Sequence, residues 1–85
     1  MNITFSPRQF WDIDQKSIVF HANADGKQIQ CVVPQEFLTA PLVENLSEEE
    51  ARQLFCERRG EIASRLRDEI HEQGLDCLSE IVLRP

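Results

Sequence analysis

The chain has 85 residues and a formal net charge of −6, with 41% apolar and 28% charged residues, which is ordinary for one soluble globular domain. The acid excess argues against duplex nucleic acid as the main partner, because neutralising the phosphates requires a basic surface. An acidic protein can still carry a local basic patch that binds nucleic acid. No apolar stretch approaches the ~18 residues of a membrane span and no secretory leader pattern follows Met1, so we expect a cytoplasmic protein without membrane contact.

Two short extended segments are predicted at the start of the chain. Residues 2–5 form the first, before Ser6-Pro7. Residues 8–13 form the second and are expected to pair with residues 17–22, since the polar stretch between them suits a turn. Trp11, the single tryptophan, lies in this second segment and is either at the edge of the core or an exposed interface anchor.

A β-hairpin follows, and two independent features of the sequence, the turn residues and the apolar alternation, specify its register. Asp25-Gly26 is typical of a type I′ turn, whose two central residues need positive φ. Centring the turn there sets Phe20 opposite Cys31, and it also sorts the apolar side chains onto one face. That face consists of Ile18, Phe20, Ala22, Ile29, Cys31 and Val33. The opposite face consists of Val19, His21, Asn23, Gln28, Gln30 and Val32.

Helices are predicted for the second half of the chain. Pro34 can begin a short helix that ends near Pro41. Ser47 is the expected N-cap of a long helix over residues 48–73, with Glu50 completing a capping box and Gly74 following the last turn. Such a helix would be about 39 Å long. The apolar stripe that would face the sheet consists of Ala51, Phe55, Ile62, Leu66 and Ile70.

One position leaves the course of the long helix open. Gly60 can be a tolerated surface glycine, a kink or a break into two helices. Beyond Gly74, residues 79–84 predict a closing strand. The hairpin and the helical stripe must bury each other, so we expect one α+β domain over residues 1–85. It has two layers: a three- or four-stranded, mainly antiparallel sheet, and one long and one short helix packed on one face.

The sequence resembles the small bacterial family known as domain of unknown function 1488. The resemblance rests on Ile3-Thr4-Phe5, Trp11-Asp12, the segment around the Asp25-Gly26 turn and the Arg58-Arg59 pair, and it continues through Cys31, the short helix, Phe55 and Ile62. It covers most of the chain. These positions determine a fold, so the resemblance implies a single-domain α+β protein and brings no activity, cofactor or catalytic residue.

Motifs for catalysis and for cofactor or metal binding are absent from the sequence. The three cysteines form no C-x-x-C pair, and the two histidines lie on different predicted elements. Three glycines, all far apart, cannot build a phosphate-binding loop. We therefore predict no catalytic, cofactor-binding or metal-binding residue. The cysteines are expected to be free thiols, with Cys31, and as a second candidate Cys56, packed in the core as small apolar residues.

The candidate functional residues lie on two surfaces. Arg52 and Arg59 fall within the apolar sector of the predicted helix. Either each arginine stem packs while its guanidinium meets a carboxylate or the helix edge, or the pair lines a pocket for an anionic ligand. The other surface is the hairpin face that turns away from the helix, where Val19 and Val32 form a small apolar patch. The predicted interaction residues are Trp11, Val19, His21, Gln30, Val32, Arg52 and Arg59.

Three functions are compatible with these features. The preferred hypothesis is a non-enzymatic interaction or regulatory module whose partner is another protein or a second copy of itself in a homodimer. A nucleic-acid or transcription accessory factor that uses a local arginine patch is the first alternative. A small ligand-binding protein is the second.

Overall fold

A computed structural model of the chain describes residues 2–38, 46–74 and 78–84. Five strands and three helices make up this part of the chain, in an α+β arrangement that confirms the predicted fold class. In chain order the elements are β1 (Ile3–Phe5), β2 (Phe10–Asp12), β3 (Ser17–Ala24), β4 (Lys27–Pro34), α1 (Gln35–Leu38), α2 (Glu48–Glu57), α3 (Arg59–Gln73) and β5 (Glu80–Val82).

The hairpin of β3 and β4 has the register that the sequence predicts. Phe20 pairs with Cys31, and the antiparallel ladder runs without interruption from the turn to the base. Asp25 and Gly26 have φ angles of 51° and 87°, as a type I′ turn requires. The Asn23 side-chain oxygen accepts a hydrogen bond of 3.0 Å from the backbone N–H of Gly26 and fixes the turn further.

The sheet is four strand positions wide, because β1 and β2 share one edge. Both pair antiparallel with β3, β1 along its end near the turn and β2 along its beginning. Residues 6–9 lie between the two short strands. On the other side, β5 pairs with β4 in parallel. The sheet is thus mainly antiparallel, as predicted, with one parallel closing strand.

The predicted long helix is two helices. The N-cap is confirmed, since the Ser47 hydroxyl oxygen accepts a hydrogen bond of 3.2 Å from the Glu50 backbone N–H. The helix breaks at Arg58, where φ is −105° and ψ is 15°, and Gly60 lies within the first turn of α3. Of the three alternatives for this region, the break is correct, although it precedes the glycine by two residues. A single uninterrupted helix over residues 48–73 therefore does not form.

The core lies between the helices and one face of the sheet. The predicted hairpin face is buried, and Trp11 and Phe5 pack against its margin. The predicted helical stripe is buried as well: Ala51, Phe55, Ile62, Leu66 and Ile70. From the closing segment, Leu78, Ile81 and Leu83 complete the core.

The opposite face of the sheet contributes no residue to the core cluster within the described ranges. His21 and Gln30 are only partly buried there, and Asn23 is exposed. Val32 is buried, yet it is separate from the core cluster that the helices share with the sheet. The candidate functional surfaces are this open face of the sheet and a pocket on the helix side.

Candidate functional site

Four apolar side chains form a row across the open face of the sheet. Phe10 of β2 pairs with Val19 of β3, Val19 pairs with Val32 of β4, and Val32 pairs with Val82 of β5. Paired residues of neighbouring strands place their side chains on the same face. We call these four residues the apolar row.

The ends of the apolar row are far more exposed than its middle. Phe10 is 58% exposed and Val82 42%, whereas Val32 is only 2% exposed. Val19 is half-buried. The row thus presents Phe10, Val82 and part of Val19 to water, while Val32 is buried within it.

A polar row borders the apolar row on the side of the hairpin turn. His21 pairs with Gln30, and Gln30 pairs with Glu80. The Gln30 side-chain amide donates a hydrogen bond of 3.1 Å to the Glu80 carboxylate. This interaction holds both side chains flat beside the valines and keeps the border of the apolar surface polar.

The structure places the predicted site residues in three locations. Val19, His21, Gln30 and Val32 lie together on the open face, as their alternation predicts. Trp11 does not join them, because it pairs with Ile18 and therefore belongs to the helix side. There it packs against the core in a partly buried position, which is the core-edge alternative.

The two arginines of the predicted pair have different surroundings in the structure. The Arg52 Nε atom lies 3.7 Å from a Glu48 carboxylate oxygen one helical turn earlier. Its neighbour in the sequence pattern, Arg59, is exposed and lines a pocket that does not include Arg52. Arg52 thus has the local carboxylate partner of the first alternative, whereas Arg59 lines a pocket, as in the second.

The pocket of Arg59 has a volume of about 380 Å³ and lies between β1 and α3. Buried aromatic and aliphatic side chains form its base, among them Phe20, Phe55 and Ile62. Arg59 and Arg67 stand at its rim. Its lining includes no aspartate or glutamate among the described residues, although the chain has 15 of them.

The described cysteines and histidines do not assemble into a reactive centre. Within residues 2–38, 46–74 and 78–84, no three histidine, cysteine or acidic side chains are close enough to share a metal ion. Cys31 is fully buried, as predicted, whereas Cys56 is exposed, so its predicted place in the core is wrong. The third cysteine, Cys77, lies outside the described ranges. Burial raises the pKa of the Cys31 thiol from 9.0 to about 12, opposed by a hydrogen bond with the backbone of Ala22. Cys31 therefore fills the core as an unreactive thiol.

This raised pKa predicts a loss of stability at alkaline pH. Between about pH 9 and pH 12 the unfolded chain releases the Cys31 proton while the folded chain keeps it, so the free energy of unfolding falls as the pH rises. The expected slope is up to about 1.4 kcal/mol per pH unit. Urea unfolding of the wild type and of Cys31→Ala from pH 8 to pH 10.5 measures it. The alanine variant is expected to lose this part of the slope, and an equal slope in both proteins would contradict the assignment.

Sequence reasoning missed four of the residues that define the two surfaces. Phe10 alternates with Trp11 in β2, so its face follows once the pairing of β2 is known. Val82 has no such local signal, because its position depends on a parallel pairing about fifty residues away in sequence. Arg67 lies eight residues after Arg59, a spacing that helical periodicity could have revealed. Phe5 belongs to a strand too short to specify its own face.

None of the helices in the described ranges combines the length and apolar character needed to cross a membrane.

This chain is similar to known proteins in both sequence and structure. A family model described as "Protein of unknown function (DUF1488)" matches residues 3–83. The crystal structure of a DUF1488-family protein of unknown function from Shewanella loihica PV-4 has a TM-score of 0.79 and 28% sequence identity to this chain. That similarity covers 98% of this chain and 94% of the other. No curated protein matches the sequence.

Proposed function

The chain belongs to the DUF1488 family, and we propose that it is a small non-enzymatic interaction module of the bacterial cytoplasm that self-associates through its open sheet face. The apolar row is the observation that carries this proposal. It runs across all four strand positions, and the side chains at its two ends, Phe10 and Val82, are exposed. We propose that its occupant is the same face of a second copy.

The apolar row fits a second copy of itself. A two-fold axis parallel to the strands, between β3 and β4, would set Phe10 of one copy over Val82 of the other. The same rotation sets Val19 over Val32. The large, protruding ring at one end of the row thus meets the smaller, exposed valine at the other end. Such an interface is isologous and closes as a dimer.

The charges of the open face support self-association in an otherwise acidic protein. Only two carboxylates belong to this face in the described strands, Asp12 on β2 and Glu80 on β5. Both are engaged locally: Glu80 accepts from Gln30, and Asp12 accepts hydrogen bonds from the backbone N–H groups of Asp14 and Gln15. Most of the 15 acidic residues therefore lie outside these strand positions, and two copies can approach through this face without facing rows of carboxylates.

The area of the face sets the expected strength of the dimer. Strands β3 and β4 have eight residues each and β1, β2 and β5 three each, so with neighbouring strands about 4.8 Å apart the face has an area of roughly 400 Å². Two such faces bury about 800 Å² together, which is below the range of stable specific interfaces and typical of weak, transient ones. We therefore expect a reversible dimer with a dissociation constant in the micromolar range rather than an obligate one.

Charged substitutions at the two ends of the apolar row should abolish the dimer. In Phe10→Asp/Val82→Asp, each interface would bury carboxylates without partners, which is strongly unfavourable. Both side chains are exposed in the monomer, so the fold should persist. Sedimentation velocity over a hundredfold range of concentration should show a monomer–dimer equilibrium for the wild type. The variant is expected to bind itself at least tenfold more weakly.

Ile13→Asp is the matched control, because Ile13 is 76% exposed but lies outside the apolar row. It removes an exposed aliphatic side chain and adds the same charge, and it should leave the equilibrium unchanged. A wild type that stays monomeric at every concentration would refute the proposal. So would a dimer that Phe10→Asp/Val82→Asp leaves intact.

A further inference from the structure

The pocket between β1 and α3 is independent of the apolar row, because it opens on the helix side of the sheet edge. Its base is apolar: Phe20 and Phe55 stack edge to face with ring centroids 5.3 Å apart. Its entrance exists because the edge of the sheet is interrupted between β1 and β2. Ser6 and Gln9 of that interruption line the opening and offer hydrogen-bonding groups.

Two guanidinium groups flank this opening. Arg59 and Arg67 lie eight residues apart on α3 and line the same pocket. Among the described residues, neither is in a salt bridge, whereas Arg52 and Arg58 are each bound to a glutamate. Arg59 and Arg67 are thus two exposed guanidinium groups at one pocket whose described lining holds no carboxylate, and both are available to an anionic ligand.

The position of Arg67 is set by an aromatic ring. Its guanidinium carbon lies 5.3 Å from the centroid of the Phe5 ring, within the range of a cation–π interaction. The contact holds the charge beside the pocket rather than free in solvent. It leaves the N–H groups at the edge of the guanidinium available to an acceptor.

We propose that this pocket binds a small organic carboxylate, with its apolar body on the aromatic base and its carboxylate between Arg59 and Arg67. A volume of about 380 Å³ admits a molecule of modest size, such as an aryl or short aliphatic acid. The apolar base of the pocket would contact the apolar body of such a ligand, and the guanidinium groups of Arg59 and Arg67 would bind its carboxylate. Inorganic anions would lack the apolar half, and neutral molecules the charged half.

Titration with 4-phenylbutyrate, followed by ¹H–¹⁵N correlation NMR, tests the proposal. We expect saturable shifts that centre on the amides of Phe5, Arg59 and Ala63. In Arg59→Gln/Arg67→Gln, affinity should fall at least tenfold, because two charge-assisted hydrogen bonds are lost. Arg52→Gln is the matched control, since it removes an arginine outside the pocket, and its affinity should equal that of the wild type.

Two further probes separate the contributions of charge and apolar body. The neutral analogue 4-phenylbutan-1-ol and inorganic phosphate should each bind at least tenfold more weakly than 4-phenylbutyrate. The proposal is overturned if 4-phenylbutyrate gives no saturable shifts at the pocket. Equal binding of the alcohol or of phosphate, or unchanged binding by the double variant, would overturn it too. Each of these outcomes is independent of whether the protein dimerises.

Discussion

Replacing Phe20 by alanine is expected to lower the free energy of unfolding by about 3–5 kcal/mol. The Phe20 side chain is 3% exposed and joins three parts of the molecule. Its ring packs edge to face against Phe55 of α2, at a centroid distance of 5.3 Å, and against Phe5 of β1 at 6.2 Å. The truncation would leave a cavity between the sheet and both partners. Urea unfolding monitored by circular dichroism gives the value directly.

Phe10→Ala is the matched control for this prediction. It makes the same chemical change on the same sheet, but on a ring that is 58% exposed and lies on the open face. At protein concentrations at which the chain is monomeric, it should change the free energy of unfolding by less than about 0.5 kcal/mol. Equal losses for the two variants would contradict the assignment of the two sheet faces.

Removal of the Arg58 side chain is expected to cost about 2 kcal/mol. Arg58 sits at the break between α2 and α3, and its guanidinium donates to the backbone carbonyl of Phe37 in α1. The same group donates to Glu61, with an Nε–Oε2 distance of 2.7 Å, and lies 4.6 Å from the centroid of the Phe37 ring. One side chain thus ties the helix junction to α1. Thermal unfolding of Arg58→Ala measures the loss.

Arg52→Ala is the control for Arg58, because Arg52 has only an exposed ion pair with Glu48 in the same helix. Exposed pairs of this kind contribute at most a few tenths of a kcal/mol. Arg58→Lys keeps the charge but loses the fork that reaches two acceptors, and it should recover less than half of the loss. If Arg58→Ala and Arg52→Ala are equally mild, the junction does not depend on this side chain.

The hairpin was predictable because two local signals agree on it. The Asp25-Gly26 turn and the alternation around Phe20 and Cys31 specify the same register, so no long-range information is needed. The N-cap at Ser47 is equally local. The position of the break was not predictable, because the local signal is Gly60, whereas the helix ends at Arg58, whose guanidinium donates to the carbonyl of Phe37 twenty-one residues earlier. The apolar residues keep their helical spacing on both sides of Arg58, so the periodicity of the sequence gives no sign of the break.

The candidate surfaces were predictable only in part, for the same reason. Val19 and Val32 belong to one hairpin, and their shared face follows from its register. The full apolar row needs Phe10 and Val82 as well, and these come from strands of three residues at opposite ends of the chain. Strands so short carry too little alternation to identify their pairing. The sequence therefore indicated the centre of the surface and missed its ends.

Intermolecular nuclear Overhauser effects from the Phe10 ring test the central claim most directly. Within one copy, Phe10 and Val82 are three strand positions apart, or about 14 Å, which is too far for such an effect. In a concentrated sample that mixes labelled and unlabelled protein, we predict contacts from the Phe10 ring of one copy to the Val82 methyl groups of another. Contacts between copies that involve only the helices, or no contacts at all, would contradict self-association through the open sheet face.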